Sequence, residues 1–108
     1  MVMNGWAEAM MMYENAFYDM RPNELEDYNK VFTRVFDQDV AEEKLIWHRD
    51  KKDRIVNIVH NTGWRFQKDN ELPQEIPEGT TISISRYVYH RLIKGDGPLI
   101  VEIHESDN

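Results

Sequence analysis

The chain has 108 residues, no cysteine, and twenty acidic against thirteen basic residues, a net charge of −7. With 41% hydrophobic and 31% charged residues it reads as one folded domain spanning 1–108, and the missing cysteines exclude disulfides, thiolate zinc sites and thiol nucleophiles. The acidic balance argues against nucleic acid or an anionic membrane as partner, because phosphate recognition needs a basic face.

The start, MVMNGWAEAMMMYENAF, carries acidic residues and no basic leader. No apolar run approaches the ~18 residues of a membrane span, so the expected location is cytoplasmic. Trp6, Ala9, Met10, Tyr13, Phe17 and Met20 recur at helical spacing and predict a first helix. Pro22 ends it, and Asn23 with Glu26 three residues on offers a capping box for a second. The second helix would carry Leu25, Tyr28, Val31, Phe32, Val35 and Phe36. Residues 1–40 are thus expected to form an N-terminal helical segment, whose surplus apolar surface suits a homodimer.

After residue 44 the period becomes two, or the apolar run becomes continuous. KLIWH, RIVNIVH, GWRFQ, TISIS, YVYHRLI and PLIVEIH are short and rich in β-branched and aromatic residues, with turn-forming stretches between them. Gly95-Asp96-Gly97 reads as a tight turn and not as a phosphate loop. The expected class is mainly β (α+β): two N-terminal helices, then a small barrel over 44–105. Its predicted core is Leu45, Ile55, Val56, Ile58, Val59, Trp64, Phe66, Ile82, Ile84, Val88, Leu92, Leu99, Val101 and Ile103.

Two stretches resemble the motifs of the cupins, small jelly-roll β-barrels. In HRDKKDRIVNIVHN, His48 matches the first histidine of one motif, and Asp50 stands where the second histidine falls. Arg54 takes the place of the glutamate and Asn61 that of the glycine. In GTTISISRYVYH, Gly79 and His90 keep the spacing of the other motif, with Ser85 and Tyr87 replacing its inner proline and glycine. The resemblance implies a barrel with an open mouth, in which small molecules and metals bind. His-x-Asp with a distal histidine also resembles the triad of the 2-oxoglutarate oxygenases. Where their co-substrate arginine would fall, this chain has Ile100.

Residues i and i+2 of a strand face one side, so His48 and Asp50 point together. If that side is the interior, His90 can approach across the barrel. Two histidines and a carboxylate would then hold iron, manganese or zinc with positions open for substrate, an arrangement suited to oxygenase- or isomerase-type chemistry. A second reading uses the same residues without metal. Arg54 bonds Asp50 or Asp53 as an ion-pair network, and the protein is a non-catalytic binding or interaction module. A third has Arg54, His48 and His90 binding an anionic small molecule. Arg54, Gln67 and Trp64 are the candidate ligand contacts. His60 and His104 read as surface residues. Arg91, Tyr87 and Tyr89 should face away from His90, under the helices or a second subunit. No Gly-x-Ser-x-Gly elbow supports Ser83 or Ser85 as nucleophiles.

Overall fold

The computed structural model describes residues 13–21 and 30–106. Its strands are β1 (Tyr18–Met20), β2 (Val31–Phe36), β3 (Arg54–His60), β4 (Arg65–Lys68), β5 (Gln74–Glu75), β6 (Thr81–Ile84), β7 (His90–Ile93) and β8 (Leu99–Glu105). A single 3-10 turn, Glu42–Lys44, lies between β2 and β3. All strand pairs are antiparallel, in a five-stranded sheet of order β1-β2-β8-β3-β6 and a three-stranded sheet of order β5-β4-β7. An isolated bridge from His48 to His90 adds one more segment to the free edge of β7.

Alternation decides what goes inside. In β3, Val56 and Ile58 face the core, and β8 answers with Ile103 and Val101 opposite them, while Leu99 lies opposite Phe36 of β2. β6 contributes Ile82 and Ile84, while Phe66 and Ile76 close the core from the smaller sheet's side. Fully burying one such side chain contributes roughly 1.5–3 kcal/mol. Trp64 is locked at the core's edge by its indole N–H to the Gly97 carbonyl, 2.7 Å. Gly95 makes this close approach possible, since a Cβ there would collide with the backbone of Thr62, Gly63 and Trp64. Asn61, at the motif's glycine position, accepts from the Trp64 N–H and donates to the Trp64 and Ile76 carbonyls.

Four expectations change. Val31, Phe32, Val35 and Phe36 are not helical: they lie in β2, between β1 and β8. Within the first predicted helix only Tyr13 and Glu14 are helical among the described residues, and Tyr18–Met20 is a strand. The remainder of both helices, residues 6–12 and 22–29, lies outside the described residues. The strands form two sheets around a shared core and do not close into one barrel. Ile55 and Val59, predicted as core, are 49% and 54% exposed. Ile55 has the outward parity of β3, and Val59 is the residue skipped where the register slips between Ile58 and His60. Among the described residues, no helix is long and apolar enough to cross a membrane.

Candidate metal and ligand site

The site is built on the bridge between the 48–50 segment and the start of β7. His48 N–H donates to the His90 carbonyl (3.0 Å) and His90 N–H to the His48 carbonyl (2.9 Å). Asp50 then accepts from the Tyr87 N–H at 2.8 Å. Residues exchanging both hydrogen bonds stand directly opposite, with side chains on one face. The two imidazoles are therefore neighbours, their centroids 4.4 Å apart, with Asp50 two residues along the same face. His90 reaches His48 from the adjacent strand and not from across the interior.

Each imidazole is oriented by a backbone carbonyl two residues earlier. His48 Nδ1 lies 3.1 Å from the Ile46 oxygen and His90 Nδ1 2.8 Å from the Val88 oxygen. A carbonyl only accepts, so Nδ1 of each ring carries a proton, and Nε2 of a neutral ring in this orientation presents a lone pair. The rings are 2% and 5% exposed. His48 Nε2 and Asp50 Oδ2 are buried without a hydrogen-bond partner. His90 Nε2 stands 3.3 Å from Asp50 Oδ2, an ion-pair distance. One ligand atom from each residue lies within 4.8 Å of the other two. Buried polar atoms are normally satisfied, so two orphaned acceptor atoms this close together mark a place that could hold a cation.

Burial, helped by the neighbouring His90, depresses the His48 pKa from 6.5 to about 4 and keeps the ring neutral. For Asp50, burial pushes the carboxyl up. Contact with His90 and the charge of Arg54 outweigh it, and the pKa falls below the usual value. Both groups thus sit in their metal-binding protonation states near neutral pH.

Arg54 opens β3 on its inward parity, opposite Ile84 and Glu105. Its Nε and Nη2 donate to Glu105 Oε2 at 2.9 and 2.7 Å, and Nη1 lies 3.3 Å from Asp50 Oδ1. The cation at the motif's glutamate position therefore does face the cluster. Asp53, its other proposed partner, instead accepts from the Arg86 backbone N–H at 2.7 Å. A cavity of about 50 Å³ opens beside Arg54 and both imidazoles, walled by apolar side chains such as Phe66, Ile82 and Val101. At ~10–15 Å³ per water it has room for about four.

Two further residues line this cavity and were not anticipated. Tyr13 stacks on His48, with centroids 3.8 Å and planes 27° apart. Arg34 enters from β2, forks onto Asp19 at 2.8 and 3.1 Å, and lies 3.6 Å over the Phe17 ring. Both belong to the stretch read as helical. Taken as a strand, VFTRVF places Arg34 on the face of Phe32 and Phe36.

Gln67 and Trp64 do not reach the cavity. Gln67 has the outward parity of β4, accepting from Arg91 Nε and donating to the Glu71 carbonyl, both at 2.9 Å. Trp64 contacts a separate outer groove with Arg65 and Glu75. His60 pairs with Glu78 at 2.9 Å, and His104 with Glu102 at 2.7 Å, both well exposed.

No protein-family model matches the sequence, and no curated protein is similar to it. Solved structures are similar in fold. The DMSP lyase DddQ from Ruegeria pomeroyi DSS-3 superposes with a TM-score of 0.62 at 13% identity, over 87% of this chain and 49% of that one. KdgF from a Halomonas species gives 0.59 at 10% identity, over 86% and 82% of the two chains. An RmlC-like cupin family protein with a double-stranded β-helix fold from Methanocaldococcus jannaschii gives 0.57 at 12%, over 82% and 79%. In a further structure, of the DMSP lyases RdDddP and RnDddQII, the chain spans 36% of the matched protein. The fold is cupin-like and mainly β. Within it, His48, Asp50 and His90 form a cluster that could hold a metal.

Proposed function

We propose that this chain binds a small molecule in its cavity through a divalent metal held by His48 Nε2, His90 Nε2 and Asp50 Oδ2. The observation that carries this reading is the set of buried ligand atoms within 4.8 Å of one another, two of them without a hydrogen-bond partner. A carbonyl fixes each histidine tautomer, the usual support behind an imidazole ligand. Two nitrogens and one carboxylate oxygen suit iron, manganese or zinc, and fewer than four protein ligands leave positions for substrate. Bound there, a metal would supply Lewis-acid or redox chemistry of the oxygenase or isomerase type. The chain's own part is to hold: Arg54 steadies Asp50, Tyr13 covers the His48 ring, and the apolar wall limits water.

A second reading rests on Arg54. Its contacts with Asp50 and Glu105 build an ion-pair network at the same corner, and with that network in place of a metal the protein would be a non-catalytic, metal-free binding or interaction module. Elemental analysis of protein purified without added metal, paired with His90→Ala, separates the two. Stoichiometric metal that vanishes in the variant supports the first. Absence of metal from pH 6 to 8, with melting unchanged by iron or manganese, refutes it in favour of the second.

A further inference from the structure

We infer that Arg54 makes the metal-loaded site selective for a small monoanion, a carboxylate of formate or acetate size; this rests on the metal reading above. The argument is one of charge. The site's one anionic candidate ligand is Asp50, and Arg54 with Glu105 forms an internally neutral pair beside it. Arg34, the other cation on the cavity, is already neutralised by the fork onto Asp19. A divalent cation on two neutral imidazoles and one carboxylate therefore leaves the pocket one positive charge in excess. Had position 54 carried the glutamate of the resembled motif, the same corner would be one negative charge in excess and would repel an anion. Low dielectric in an apolar pocket makes such an imbalance costly, and a bound monoanion cancels it.

Arg54 also has donors to spare. Of the five N–H groups of a guanidinium, two are bonded, both to Glu105 Oε2. Nη1 only rests at 3.3 Å from Asp50 Oδ1. Arg54 is among the residues that line the cavity, so its remaining N–H groups would pair an oxyanion held against His48 and His90. Size limits the class. Room for about four waters admits three or four heavy atoms, and a planar carboxylate matches the arginine fork.

The test uses the full chain loaded with zinc and titrated calorimetrically with acetate, then with acetamide, its neutral isostere. Acetate binding at least tenfold more tightly than acetamide is the expected result. Arg54→Gln should lower acetate affinity about tenfold while acetamide stays unchanged. Arg54→Glu should abolish acetate binding and tighten zinc, with near-ultraviolet circular dichroism checking the fold of each variant. The acetate–acetamide comparison on the unmodified chain stands even if neither variant folds. Zinc uptake with equal affinity for acetate and acetamide overturns the anion proposal and leaves the metal site standing. Failure to take up zinc overturns both.

Discussion

The pair of segments 47–50 and 87–91 has two faces that obey opposite rules. Inward, His48, Asp50 and His90 bring lone pairs together and leave two of them without partners. Outward, the residues between them form a checkerboard of cations and rings. The bridge register sets Trp47 opposite Arg91 and Arg49 opposite Tyr89. Arg91 sits 4.8 Å from the Trp47 ring, and Arg49 lies 5.2 Å from Tyr89 and 6.0 Å from Tyr87. The cover expected over Tyr87 and Tyr89 is thus supplied at least in part by their own strand neighbour's guanidinium. The outer face is self-satisfied and can be explained by cross-strand pairing alone. The inner face is not, and an unmet need in a buried place is the mark of a site.

The largest effect should come from attacking that unmet need. Asp50→Asn removes the one negative ligand, and zinc affinity is expected to fall at least about 100-fold, since even supporting residues around metal sites cost 10–100-fold. Competition against a chromogenic chelator measures it, and an unchanged affinity would remove Asp50 from the cluster.

Next comes Arg54→Met, which strands Glu105 and Asp50 beside an apolar wall. Breaking a largely buried ion pair from one side costs about 3–5 kcal/mol, here read by urea unfolding of the metal-free protein. The side chains keep some solvent contact, so the lower end of that range is expected.

A pH series probes His48 without mutation. Its pKa is 6.5 when unfolded and about 4 in the fold. Between those values the unfolded chain binds more protons, so stability rises with pH. The contribution is fully present above about pH 6.5 and is lost as pH falls through 4, by about 3 kcal/mol in metal-free protein. Asp50, whose pKa is depressed, adds a further loss below its ordinary 3.8. His48→Gln should flatten the first part of the slope; an unaltered slope would assign it to other groups.

Smallest of all should be Trp47→Ala or Tyr89→Ala on the outer face. Each loses a partly exposed cation–π pair, about 0.5–1 kcal/mol, with zinc stoichiometry unchanged. Loss of metal in either variant would show that the two faces are coupled, because the outer pairs would then be holding the imidazoles in register.

The strand half of the fold was legible because its faces differ in polarity. Val56, Ile58, Val101 and Ile103 lie inside as expected, but RIVNIVH carries two adjacent apolar pairs, so the sequence did not separate Val56 and Ile58 from the exposed Ile55 and Val59. β2 was misread for the complementary reason. Phe32, Arg34 and Phe36 are buried on one face and Val35 on the other, so VFTRVF shows no period of two and mimics helical spacing. Its β-branched Val31, Thr33 and Val35 were the better signal. Missing that strand also hid Arg34, which joins the cavity only when β2 takes its place beside β8.

What the sequence determined by itself was local: two side chains two apart share a face, so His48 and Asp50 had to point together, while His90 was marked only by the resemblance of GTTISISRYVYH to a cupin motif. What only the tertiary structure decided was company. The bridge that sets His90 beside His48, the strand that delivers Arg34, the stacking of Tyr13 and the division of Arg54 between Glu105 and Asp50 all join residues far apart in the chain. Local periodicity fixes direction within a strand. It carries no information on which strands become neighbours, because that is settled by burying all the faces at once.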